Sequence, residues 1–98
     1  MPNIDQRQQR VLGGDKYLNA SASALVATGD GNLIGVFVAS ATSTPTIKLW
    51  DNTAGSGAVL VNTFTPSAGA WYPTPFHFLT GLYITISGTV DCTLSFSQ

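Results

Sequence analysis

Gly81-Leu82-Tyr83-Ile84-Thr85-Ile86-Ser87-Gly88-Thr89-Val90-Asp91-Cys92-Thr93-Leu94-Ser95-Phe96-Ser97 alternates apolar and small polar residues almost without interruption. Leu82, Ile84 and Ile86 share one face, with Tyr83, Thr85 and Ser87 on the other. Beyond Gly88-Thr89, Val90, Cys92, Leu94 and Phe96 stand against Asp91, Thr93, Ser95 and Ser97. A period of two marks half-buried β-strand, and the glycine between the two runs predicts a β-hairpin turning at Gly88-Thr89. The apolar side has to be covered, so a second sheet is expected. The polar side carries Ser and Thr instead of Lys and Glu, and the chain has no Glu at all. Such a surface suits contact with another molecule.

The segments before this stretch also read as strands and turns. Tyr17 to Thr28 is expected to be one long strand of small residues, closed by a turn at Gly29-Asp30-Gly31-Asn32. Leu33 to Ser40 is apolar on both faces, which marks a central strand, and the Ser/Thr/Pro stretch Ala41 to Pro45 reads as a connection. Alternation returns in Thr46-Ile47-Lys48-Leu49-Trp50-Asp51, and after the flexible Asn52 to Gly57 turn another strand runs from Ala58 to Phe64. Pro66-Ser67-Ala68-Gly69 turns the chain again. In Trp71 to Leu79, Pro73 and Pro75 confine the segment to a sheet edge or a structured loop, because proline cannot donate to a ladder. Seven or eight short strands with regularly spaced turns point to an antiparallel β-sandwich, with jelly-roll and immunoglobulin-like wiring both open.

Residues 1–16 differ from the rest. Asn3-Ile4-Asp5-Gln6-Arg7-Gln8-Gln9-Arg10 is polar and amide-rich and ends at Val11-Leu12-Gly13-Gly14. No helical period appears and the glycine pair breaks the segment, so it reads as an extended arm preceding a sandwich domain over 17–98. An arm of this composition cannot pack a core of its own and would gain order only from a partner surface.

With 98 residues the chain suffices for one domain with a single core. Only 9% of residues are charged, far below the roughly 25% of an average soluble domain, which leaves strand edges with little electrostatic protection against association. A homo-oligomer is therefore expected, with a trimer favoured. The net charge of −1 and the four basic residues Arg7, Arg10, Lys16 and Lys48 argue against nucleic acid as a partner. The longest strongly apolar run, Leu33 to Ala39, is too short to span a bilayer, and Met1 to Arg7 has no apolar signal-peptide core. Synthesis in a cytoplasm and no membrane partner are the corresponding expectations.

The inventory for chemistry is thin. Asp30 and Asp51 stand in turn contexts that favour backbone bonding, and Asp91 opens a strand, so no carboxylate pair is expected. His77 has no second histidine near it, and the single cysteine, Cys92, falls in phase with Val90, Leu94 and Phe96, as a buried and inert thiol would. No metal, cofactor or catalytic residue is expected, and the chain reads as a non-enzyme. Trp50, Trp71, Tyr72, Phe76 and His77 could form a stacking face for sugar rings or bases, but their places beside turns and prolines suit core or subunit contacts better.

Gly31-Asn32-Leu33-Ile34-Gly35-Val36-Phe37-Val38-Ala39-Ser40, Thr44-Pro45-Thr46-Ile47-Lys48-Leu49-Trp50-Asp51-Asn52 and Gly81 to Thr89 together resemble the small all-β virion proteins of tailed bacteriophages, over roughly residues 29–97. The resemblance implies a capsid decoration (cement) subunit, made in the host cytoplasm and carried in the virion. It would bridge major capsid proteins or other virion proteins with the help of an N-terminal arm. The residues expected to carry attachment are Ile4, Arg7, Arg10, Val11 and Leu12 in the arm, with Trp71 and Tyr72 as aromatic anchors. The alternative readings are a carbohydrate-binding or receptor-binding module using Trp50, Trp71 and His77, and a tail or neck component of the particle.

Overall fold

The computed structural model describes residues 14–98, which form six antiparallel strands in one hydrogen-bonded sheet: β1 (Lys16–Ala20), β2 (Ala24–Thr28), β3 (Gly31–Asp51), β4 (Ala58–Phe64), β5 (Ala70–Phe78) and β6 (Gly81–Ser97). The fold is all-β. Two of the strands are unusually long, β3 with 21 residues and β6 with 17, and they pair with each other along nearly their whole lengths. Each half of this pair has its own flanking strands. Gly31 to Val38 lies between β5 and the second half of β6, which is flanked in turn by β1. Ile47 to Asp51 lies beside β4, and Ile47 to Trp50 pairs on the other side with the first half of β6, which β2 flanks.

The sheet folds back on itself between these halves. A straight strand of this length would separate its ends by about 66 Å. Yet Gly31, at one end of β3, pairs with Phe78, while the Asp51 carboxylate at the other end accepts hydrogen bonds from the N–H groups of Leu79 and Thr80. Both ends therefore meet the same β5–β6 turn. The bend lies where Ser43 and Thr44 adopt left-handed φ values of 65° and 50°, which non-glycine residues rarely do. There β3 uses three residues, Ser43 to Pro45, where β6 uses only Gly88 between Ser87 and Thr89. Gly88 has φ +86°, and a Cβ on it would stand 2.8 Å from Pro45 Cα.

This arrangement corrects three expectations. Gly88-Thr89 is a bend in one continuous strand and not the turn of a hairpin. Ala41 to Pro45 is part of β3 and not a connection between strands. Tyr17 to Thr28 is two strands, because the chain leaves the second half of β6 at Ala20 and joins its first half at Ala24. Between them Ser23 Oγ accepts the Ile86 N–H at 2.9 Å. The cover over the apolar face is likewise the other half of the same sheet, since no separate second sheet is present among the described residues.

The alternation predicts the core well. Leu82, Ile84, Val90, Cys92, Leu94 and Phe96 of β6 join Leu33, Val36, Val38, Ile47 and Leu49 of β3 and Phe78 of β5 in one buried cluster drawn from both halves. Leu33 and Val36 can both point inward because a bulge between Leu33 and Gly35 shifts the phase of β3. Just ahead of β1, Gly14 donates its N–H to Ser95 Oγ at 2.7 Å.

Candidate functional site

The attachment residues expected in the arm, Ile4, Arg7, Arg10, Val11 and Leu12, lie outside the described residues. Trp71 and Tyr72 are neighbours on β5 and therefore project to opposite faces. Tyr72 is half-buried, packs its ring 5.1 Å from that of Phe64 on β4, and accepts the Ser67 N–H through its hydroxyl. Trp71 is 48% exposed. The two do not form a single anchor.

Trp71 belongs instead to an open face that periodicity alone could not locate. Its strand partner is Phe37, which pairs on its other side with Thr93, and Thr93 pairs with Asn19. The next row on this face runs Tyr17, Ser95, Gly35 and Pro73. All these strands turn their alternate residues, Leu18, Leu94, Val36 and Tyr72, toward the core. The indole of Trp71 lies against Gly35, so a Cβ at that position would clash with its Cζ2 and Cη2. Tyr17 and Phe37 are 77% and 43% exposed. The Asn19 amide donates to Asp91 Oδ1 and to Thr93 Oγ1, fixing the polar groups beside the aromatics.

Two of the other aromatic candidates have side-chain partners of their own. Trp50 donates Nε1–H to Thr85 Oγ1 at 2.9 Å, and the Lys48 ammonium sits 4.3 Å from its ring centroid, in cation–π range. His77 is exposed, with Nδ1 3.1 Å from Asn32 Oδ1. Phe76 pairs with Leu33 at the edge of the sheet. Trp50, Trp71 and His77 thus do not converge on one platform.

A second feature is an open cleft of about 370 Å³ between β4 and β5, lined by Val61, Asn62, Phe64, Thr65, Tyr72, Pro73 and Thr74. Thr74 is buried there, and its hydroxyl has no hydrogen-bond partner. The adjoining edge of β4 is also open, since β4 pairs only with β3 among the described residues. Its sequence, AVLVNTF, contains neither charge nor proline. The other edges are blunted: β5 by Pro73 and Pro75, β1 by Lys16, and β2 by its five-residue length and a bulge near Val26.

Two titratable groups are shifted. Burial pushes the Cys92 thiol up to about 11, with Asp91 adding to the effect, and Cys92 is fully buried. At Asp51, partial burial raises the pKa, but the N–H groups of Thr80, Leu79 and Gly81 together with His77 outweigh it and hold the carboxyl below its ordinary value. Asp51 is thus a clamp across the fold. Among the described residues no group of three or more His, Cys, Asp or Glu side chains could hold a metal ion, and no helix is long and apolar enough to cross a membrane. The sequence matches no family model, and no curated protein and no solved structure is similar to it.

Proposed function

We propose that the chain is a non-enzymatic structural subunit of a phage particle, a capsid decoration protein that stabilises the shell by bridging capsid subunits. Its fold would be a β-sandwich with jelly-roll wiring. Eight strand segments in two leaves support that reading: β1, the second half of β6, the first half of β3 and β5 in one leaf; β2, the first half of β6, the second half of β3 and β4 in the other.

The observation that carries the structural role is the β4 edge. Seven residues without charge or proline offer unpaired backbone groups beside an apolar cleft, and an edge of that kind is a template for another chain. Covering it in a ring of three copies would give the expected trimer. The arm, through Ile4, Arg7, Arg10, Val11 and Leu12, would then reach the shell, with Arg7 and Arg10 making forked contacts to acidic or carbonyl-rich patches. Each 1.4 kcal/mol of added interface shifts assembly about tenfold, so modest contacts repeated over several arms suffice.

Co-sedimentation with intact particles tests the role. Many copies per particle are expected. A few copies would move the chain to the tail or neck, and none would overturn the virion reading. Light scattering of the free protein tests the oligomer, and Val59→Lys, at an exposed position on β4, is expected to leave the fold intact and give monomers.

A further inference from the structure

The geometry points to a binding site for a neutral oligosaccharide on the outward face of β1, β6, β3 and β5, centred on Trp71. Cζ2 and Cη2 of the indole lie against Gly35, where no side chain intervenes, and Trp71 as a whole is 48% exposed. Tyr17 stands in the same row as Gly35 with Ser95 between them, two strand spacings or about 9.6 Å away. Phe37 pairs directly with Trp71. Trp71 and Phe37 therefore stand as a direct pair on adjacent strands, and Tyr17 is set apart from them by the small polar residues Ser95 and Thr93 of β6.

That spacing selects the ligand. A pyranose presents an apolar C–H face and a rim of hydroxyls, so it needs a flat aromatic surface bordered by uncharged donors and acceptors. Trp71 and Tyr17 supply the surfaces, at a separation that suits rings within one short chain. Thr93, Ser95 and the Asn19 amide, already held by Asp91, supply the border. The core of a protein interface is more continuously apolar, whereas here the hydroxyl positions Ser95 and Thr93 divide Tyr17 from the Phe37–Trp71 pair. A nucleic acid would need cations, and neither row contains Lys or Arg.

Trp50 is the internal control. Its ring is occupied by Lys48 and its N–H by Thr85, so it should take no part. This proposal does not depend on the decoration role, because a free lectin-like domain could use the same face.

The test is titration of the full chain with cellohexaose, maltohexaose and chitohexaose by calorimetry, alongside Trp71→Ala, Tyr17→Ala and Trp50→Phe. Binding to at least one of the three is expected, weakened at least tenfold by Trp71→Ala and several-fold by Tyr17→Ala, and unchanged by Trp50→Phe. Melting temperatures check that the variants are folded; should Trp71→Ala unfold the chain, Tyr17→Ala decides. No binding to any of the three overturns the proposal, as does binding that survives both substitutions. Loss of particle co-sedimentation in Trp71→Ala without glycan binding would make this face a protein contact and also overturn it. Absence of the wild-type chain from particles would instead count against the decoration role alone.

Discussion

Cys92 and Asp51 show how far single residues are determined by pattern. The parity of Cys92 with Val90, Leu94 and Phe96 sufficed to place its thiol in the core, where it is fully buried and lies 3.5 Å from the Ala20 carbonyl. Because burial raises its pKa to about 11, almost no thiolate exists near neutral pH. A thiol reagent is therefore expected to label the native protein only on unfolding, and rapid native labelling would show the face of β6 to be inverted. Asp51 was legible only as a turn residue. Its partners, Leu79, Thr80 and Gly81, lie about thirty positions away in sequence, beyond the reach of any local pattern. Since its folded pKa lies below the ordinary 3.8, the unfolded chain binds the proton more tightly. The stabilisation is complete above that value and is lost as pH falls through the folded pKa. Melting curves between pH 5 and pH 2 should fall less steeply for Asp51→Asn than for wild type. Asp51→Ala, which removes charge-assisted acceptors altogether, is expected to cost about 2 kcal/mol at neutral pH. Identical acid slopes would mean the carboxylate does not hold the turn.

The two long strands are where sequence reading and structure part, and β6 contained the missing signal. Its buried residues Leu82, Ile84, Val90, Cys92, Leu94 and Phe96 all bear even numbers, so the phase runs unbroken through Gly88. A two-residue turn at Gly88-Thr89 would pair Ile86 with Asp91 and Ile84 with Thr93, mixing apolar and polar side chains on each face. Unbroken parity therefore favoured one bent strand over a hairpin. In β3 the phase changes between Leu33 and Val36, and again between Val38 and Ile47, because bulges and the Ser43-Thr44 kink insert residues. Those insertions look like connections when only alternation is read. The bend itself gives a prediction. Gly88→Ala adds a Cβ at φ +86° against Pro45, whereas Gly29→Ala adds one at φ +82° with nothing within 4 Å. Both pay for the backbone conformation, about 1 kcal/mol, but only Gly88→Ala meets a steric barrier. The expected drop in melting temperature is roughly 5–15 °C for Gly88→Ala and clearly smaller for Gly29→Ala. Equal drops would mean that β3 and β6 are not tightly apposed at the bend.

For the whole molecule, the all-β class and the buried set could be read locally, whereas the candidate surfaces could not. Trp71, Phe37 and Tyr17 come from strands separated by up to 54 positions, and only the register through β6 brings them into adjacent rows. The boundary of the arm is a question at the same scale. Gly14 is tied to Ser95 and β1 begins at Lys16, while among the described residues the core cluster and the side chains packed on it run from Leu18 onward. Deleting residues 1–13 should therefore leave the melting temperature of the domain close to that of the full chain. Attachment is a separate matter. Burying Ile4, Val11 and Leu12 would contribute several kcal/mol, but ordering the arm costs about 1–2 kcal/mol per residue, so one arm alone binds weakly or not at all. Occupancy should then depend on several arms acting in one oligomer. The truncated protein is expected to remain folded and, through the proposed β4 contact, oligomeric, yet to occupy particles at a lower level and with a weaker salt dependence than the full chain, since the proposed Arg7 and Arg10 contacts would be gone. A sharp fall in melting temperature would make the arm part of the fold, and unchanged occupancy would place attachment on the strands alone.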